Sequence, residues 1–141
     1  MEVAQATRPK LVTFRAIRFH GENVGPADNS QPWALEMKQS IEVALGTATT
    51  PTERLQALVK IDLDAKATSQ DGLAEPATFS GTYEAKYDFP LDLKEEQVSP
   101  LFAQPSFQYM LVSQAFPLAM TLFRRELQTL GFDARELPLG I

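Results

Sequence analysis

The sequence predicts an α+β fold: a four-stranded antiparallel sheet with one long C-terminal helix packed on one face. Four segments alternate apolar and polar side chains with period two, which is typical of strands with one buried face. After Pro90 the apolar residues follow helical spacing instead. The 141 residues, 44% of them hydrophobic, are typical of a single domain, residues 1–141, with its core over residues 10–132 and loosely held ends.

The first strand is irregular. Val12 and Phe14 share one face of it, whereas Ile17 and Phe19 point to the other. An extra residue that reverses the alternation is the signature of a β-bulge. We therefore expect a bulge near Arg15–Arg18, or an edge strand, in this segment.

The next three strands are regular. From Trp33 to Leu45 the odd-numbered positions are apolar except Gln39, and the even-numbered positions are polar or small. The segments Leu55–Ala67 and Ala77–Phe89 repeat this alternation. A helix would mix the two sets on every face, so the pattern predicts three strands with one buried face each.

The links between the segments predict the topology. Thr47–Glu53 and Thr68–Pro76 are short enough for antiparallel hairpins and too short for a parallel crossover. Strands two, three and four should therefore form a meander. The first link, Gly21–Pro32, is longer and rich in Gly and Pro, so we expect it to cross the end of the sheet.

Two helical segments follow the last strand. Ser99 and Pro100 fit the N-cap and first position of a short helical turn. A long helix then runs from Ser106 to Leu130, with a kink or break expected near Pro117 because proline lacks the backbone N–H. Its end is marked by Gly131 and by Phe132, which is spaced to meet Leu127 in a Schellman motif.

The long helix is more apolar than one sheet face requires. Between Ser106 and Phe123 the apolar side chains spread more widely than the ~100° stripe that a single sheet covers. Either a second copy of the chain covers the remainder, or its Met and aromatic side chains form an adaptable apolar binding surface. Polar residues and Pro117 interrupt the segment, so we expect a buried helix and no membrane insertion.

Composition excludes several classes of function. The chain has no Cys and one His, which rules out thiolate metal sites, disulfide scaffolds and His-rich metal sites, and we expect no metal and no cofactor. A net charge of −5 is the opposite of what nucleic-acid binding requires. Met1–Lys10 lacks the apolar run of a secretory signal, so we expect a cytoplasmic protein.

Catalysis has no support in the sequence. His20 lacks an obvious partner constellation, and Asp62 and Asp64 alternate with Lys60 and Lys66 on a face that must meet water. The sequence contains no phosphate-binding loop, nucleophile elbow or metal motif. We therefore expect a protein that is not an enzyme.

Several short sequence motifs between Lys10 and Phe132 resemble those of the SecB family of bacterial export chaperones. The residues Phe14–Phe19 are similar to the family's first strand, and Trp33 opens the second strand as it often does there. The string Phe116–Ala119 and the later Gly-Phe pair are similar to the family's Phe-Pro-Tyr-Ala and Gly-Phe patterns, although Leu118 replaces the Tyr. The family's second helix and its C-terminal SecA-binding tail have no counterpart by Ile141, so SecA binding is not carried over.

The resemblance implies an ATP-independent holdase, a dimer or dimer of dimers, that binds unfolded polypeptides in apolar grooves beside the crossover Gly21–Pro32. Carried onto this sequence, the implied client-binding residues are Trp33, Leu35, Tyr109, Met110 and Phe116. An acidic sheet face remains available for a basic partner. Its residues are Glu36, Glu42, Asp62, Asp64, Glu84 and Asp88.

Two other interpretations stay open. In the first, the chaperone serves one dedicated partner, as SecB-like proteins do beside toxin–antitoxin pairs. In the second, the chain is a non-catalytic structural or adaptor subunit whose apolar helix forms a permanent oligomer interface. The adaptor interpretation predicts no affinity for unfolded polypeptides.

Overall fold

The computed structural model describes residues 8–24, 33–47, 54–69 and 76–132, with Trp33 described by its backbone alone. Residues 1–7 and 133–141 at the chain ends, residues 25–32 of the crossover, and residues 48–53 and 70–75 of the two predicted hairpin links lie outside these ranges. Four strands form one sheet: β1 (Lys10–Glu22), β2 (Trp33–Gly46), β3 (Gln56–Ser69) and β4 (Ala77–Asp88). The strand order is β1-β4-β3-β2, and every neighbouring pair is antiparallel.

The topology confirms the predicted meander of β2, β3 and β4. The first strand pairs with β4 at the far side of the sheet, so β1 and β2 are its two edges. The register of β1 shifts between Ala16 and Arg18, which confirms the bulge expected there, and shifts again between Leu11 and Thr13. The second bulge was not predicted, because Val12 keeps the apolar alternation intact.

The helical part is a short helix, α1 (Glu95–Val98), a 3₁₀ turn (Ser99–Ala103) and the long helix α2 (Pro105–Thr129). The helix α2 continues without interruption through Pro117, so the break that proline suggested does not occur. Its C-terminus is the predicted Schellman motif: Gly131 has φ +83°, and the Phe132 N–H donates to the Leu127 carbonyl at 2.9 Å.

The core lies between α2 and the inner face of the sheet. Fully buried side chains come from the odd-numbered positions of β3 and β4 and from one stripe of α2. The larger of them are Ile61, Leu63, Phe79, Tyr83, Tyr87, Phe107, Leu111, Phe116, Met120, Phe123 and Leu127. Burying such side chains stabilises the fold by roughly 1.5–3 kcal/mol each.

Two tyrosine side chains, Tyr83 and Tyr87, are buried in this core. Burial raises the pKa of Tyr87 to about 12, and its hydroxyl donates to the Leu111 carbonyl at 2.5 Å. Burial, aided by the negative charge of Glu126, also raises the pKa of Tyr83 well above its usual range. The Tyr83 hydroxyl fills the space beside Gly81, where an added Cβ would lie 2.6 Å from the oxygen. Both phenols therefore stay neutral at any physiological pH.

Candidate functional site

The helix does not cover the sheet evenly. It packs on β1, β3 and β4, and it makes less contact with the edge strand β2. The inner-facing residues of β2 are consequently half-buried or, at Gln39, exposed, although their direct partners on β3 are buried: Ile41 pairs with Ile61, and Val43 with Val59. The uncovered part of the inner face lies along β2.

A groove opens where β2 faces the first turns of α2. It has a volume of about 320 Å³ and six lining residues: Ile41, Val43, Pro105, Gln108, Tyr109 and Val112. Four of these side chains are wholly apolar, and Tyr109, which is 59% exposed, stands at the mouth. An open apolar groove with a partly exposed aromatic residue suits apolar side chains of a partner.

Aromatic packing positions the helix side of the groove. Phe102 in the 3₁₀ turn packs edge-on against Phe89 at the end of β4 and against Phe107 in the first turn of α2. The Gln108 side chain donates to the Phe102 carbonyl at 2.5 Å. These contacts hold the first turn of α2, and with it the groove wall at Pro105 and Tyr109, against the end of β4.

The structure separates the five predicted client-binding residues. Tyr109 lies in the groove, and Leu35 belongs to the same inner row of β2 as Ile41 but lies further along the strand. Met110 is half-buried against the core. Phe116 is 1% exposed, so it reaches no partner in this conformation. The side chain of Trp33 lies outside the description.

Sequence reasoning missed Ile41, Val43 and Val112 as groove residues. A signal for the first two was present, because they share the odd-numbered row of β2 with Leu35. Helical spacing also carried a signal for Phe116, which lies three, four and seven residues before the buried Ala119, Met120 and Phe123. Nothing in the sequence indicated that α2 would leave β2 uncovered, since this depends on where α2 crosses the sheet.

The outer face of the sheet carries the six predicted acidic residues, but basic residues alternate with them. Cross-strand partners place Glu36 opposite Lys66 and Glu42 opposite Lys60. Glu84 accepts from Arg15 and lies 3.9 Å from Lys86. The described strands together place seven carboxylates and seven basic side chains on this face. A basic partner would meet a chequered surface and not an acidic patch.

The other three of the six predicted acidic residues accept hydrogen bonds from neutral donors. Asp62 accepts a hydrogen bond from Thr82 and Asp64 one from Ser80, each at 2.7 Å. Asp88 accepts from the Gln56 side chain at 2.9 Å. Side-chain pairs of this kind stabilise neighbouring strands by roughly 0.2–1 kcal/mol each, so the arrangement is explained by the sheet alone.

A second cavity, about 290 Å³, opens on the outer face and brings His20, Ser80 and Asp64 together. The Ser80 hydroxyl donates to Asp64, while the His20 Nε2 lies 3.7 Å from Glu22. No serine–histidine hydrogen bond forms here, so the three residues do not make a nucleophile and general base. The histidine is 76% exposed and surrounded by solvent.

The described ranges contain neither a cluster of metal-ligating side chains nor a membrane-spanning helix. Within residues 8–24, 33–47, 54–69 and 76–132, no three His, Asp or Glu side chains come together as metal ligands would. In the same part of the chain, no helix is long and apolar enough to span a membrane.

The fold of this chain matches that of a solved protein structure. No protein-family profile matches the sequence, and no curated protein matches it. Among solved structures, the SecB-like chaperone Rv1957 of Mycobacterium tuberculosis, in complex with a ChAD peptide from the HigA1 antitoxin, superimposes with a TM-score of 0.57. The match covers 95% of this chain and 88% of the other. The chain has a SecB-like fold. The sequence identity of 18% shows the fold and no more than the fold.

Proposed function

We propose that this protein is an ATP-independent chaperone that holds unfolded or nascent polypeptides in the apolar groove between β2 and α2. The observation that carries the proposal is the uncovered inner row of β2, which leaves Ile41 and Val43 half-buried beside the exposed Tyr109. A folded monomer seldom leaves such a row open without a partner for it.

The fold supports a polypeptide as that partner. The similar SecB-like chaperone was solved in complex with an antitoxin peptide, so a chain of this architecture can bind a peptide. An unfolded client offers apolar side chains and no fixed shape, which suits an open groove better than a pocket for a small molecule. Either a dedicated client or a range of export clients fits this chemistry. We place the protein in the cytoplasm and assign it no catalytic step.

A second copy of the chain is proposed on the opposite edge of the sheet. The two bulges of β1 leave Val12 47% and Ile17 42% exposed, two large apolar side chains on one edge strand. Packing the exposed side chains of two such edges against each other, without strand pairing across the bulges, would cover them and leave both β2 grooves open. Light-scattering mass should therefore show a dimer or a dimer of dimers, and Ile17→Asp should shift it towards the monomer.

The deciding experiment is light-scattering mass across a size-exclusion peak, with and without a permanently unfolded client, alongside suppression of client aggregation. We expect the oligomer to gain client mass and Tyr109→Asp to weaken client binding by about tenfold or more, because it places a charge in an apolar groove. Leu91→Asp is the matched control, since Leu91 is 58% exposed and lies outside the groove. A discrete oligomer that gains no client mass would reject the chaperone and favour an adaptor subunit.

A further inference from the structure

The direction of the backbone groups on β3 follows from one hydrogen bond. The Phe89 N–H donates to the Leu55 carbonyl at 3.0 Å, and the unbroken β3–β4 register makes these two residues direct partners. In an antiparallel pair, residues whose N–H and C=O face one neighbour alternate with residues that face the other. Leu55 faces the core, so the core-facing residues of β3 bond to β4 and its outward-facing residues bond to β2.

The same alternation continues into β2. Its register with β3 is unbroken from Trp33 to Gly46, so the outward-facing residues of β2 exchange their hydrogen bonds with β3. The core-facing residues therefore point N–H and C=O away from the sheet, towards the free edge. These residues are Leu35, Met37, Gln39, Ile41, Val43 and Leu45. No described strand lies on that side of them.

The two edges of the sheet differ as templates. The free backbone groups of β1 are interrupted by two bulges, and bulges are a device that prevents further strand pairing. The strand β2 has no bulge and no proline over its 14 residues. Its free backbone groups also belong to the residues whose side chains line the groove at Ile41 and Val43.

We propose that the client binds by adding to β2 as an antiparallel fifth strand. This inference rests on the proposed chaperone function and specifies how the site recognises its client. In such a pair, directly opposed residues share a face. The client residues that bond to Ile41 and Val43 thus place their side chains on the core side, over the groove and beside Tyr109.

The chemistry of the client follows. It is an extended segment with apolar side chains at every second position, alternating with polar side chains that lie beside Glu36, Lys38 and Glu42 on the outer face. The backbone supplies affinity without regard to sequence, and the groove selects for the apolar positions. A chaperone for many unfolded chains needs recognition of this kind, since every polypeptide has the same backbone.

Backbone methylation of the client tests the proposal without altering the protein. The probe is a synthetic ten-residue peptide that alternates leucine with lysine or glutamate. Antiparallel addition turns the leucine amides towards β2, so N-methylation of the leucines should weaken binding by about tenfold or more. Methylating the lysine and glutamate amides should change it by less than about twofold. Equal effects of both sets, or the reverse order, overturn the proposal.

The protein side has a matched pair of variants. Gln39 is exposed, and its N–H points to the free edge, so Gln39→Pro removes one edge donor without breaking a bond to β3. We expect Gln39→Pro to weaken binding of the unmethylated peptide about tenfold more than Gln39→Ala does, because the alanine variant loses the same side chain and keeps the edge N–H. Unchanged unfolding midpoints would confirm that both variants fold. If the proline variant does not fold, the methylated peptides alone test strand addition.

Amide hydrogen exchange separates the remaining outcomes. In the free protein, the amides of Glu36, Lys38 and Glu42 should be protected and those of Met37 and Ile41 should exchange fast, and the peptide should protect the latter two. Protection of Met37 and Ile41 that rises with protein concentration alone would assign the edge to a second copy and overturn the proposal. A peptide that binds without protecting them rejects strand addition but leaves the chaperone intact. If neither peptide nor unfolded client binds, both proposals fail.

Discussion

The inner rows of β2 and β3 are alike in sequence and different in the structure. Both alternate apolar and polar residues, and Ile41 on β2 is the direct partner of Ile61 on β3. Yet Ile61 is 1% exposed whereas Ile41 is half-buried. Alternation therefore determines which side chains of a strand face the core, whereas their burial depends on what packs over them. Here α2 lies over β3 and leaves the edge strand open.

The largest expected effect compares the two sides of the helix. Phe116→Ala should lower the free energy of unfolding by about 3–5 kcal/mol, because the buried ring leaves a cavity. Tyr109→Ala, at the exposed mouth of the groove, should lower it by less than about 1 kcal/mol and weaken client binding instead. Denaturant unfolding and client titration measure the two effects. If Phe116→Ala kept its stability, the ring would not be a core residue.

A matched pair on the sheet sharpens the same contrast. Ile61→Ala should cost about 2–5 kcal/mol of unfolding free energy, the usual range for a buried isoleucine. Ile41→Ala removes the same atoms from a half-covered position, so we expect about 1 kcal/mol. Urea unfolding of both variants gives the comparison directly. Equal losses would mean that β2 is covered in solution, by a second copy or by the part of the chain outside the description.

The smallest effect is a pH dependence that belongs to the covered region. Because the pKa of Tyr87 is raised from 10.0 to about 12, the unfolded chain loses this proton first as the pH rises. The resulting stability is fully present below pH 10 and declines from there towards pH 12. Tyr87→Phe should be less stable at neutral pH, having lost the hydrogen bond to the Leu111 carbonyl, but should show a shallower alkaline decline.

The sheet was predictable because period two is a local property of the chain. The alternation at Trp33–Leu45 gave the strand β2 and the direction of its faces, and the reversal between Phe14 and Ile17 gave the bulge. The helix end at Gly131 was predictable for the same reason, since a Schellman motif needs only residues adjacent in sequence. The four-residue helix α1 was missed because it is too short to show periodicity.

The site was less predictable because it depends on how distant elements meet. The alternation places Ile41 on the apolar face of β2, and the resemblance suggests Tyr109 as a binding residue, but neither shows that the two residues share a groove. The assignment of Phe116 rested on resemblance, which carries no information about which side of the helix meets the sheet. The acidic residues were visible singly, whereas their pairing with Lys60, Lys66 and Arg15 required the strand register.

The pairing of β1 with β4 has a consequence for how the chain is made. Lys10 on β1 pairs with Asp88 on β4. The first strand to be synthesised therefore cannot join the sheet until the last strand has left the ribosome. During that interval the hairpins of β2, β3 and β4 can close, since each joins neighbours in sequence. The apolar residues of β1 stay exposed to solvent while β2, β3 and β4 are being synthesised. A protein proposed to shelter other unfolded chains thus passes through the same exposed state during its own translation.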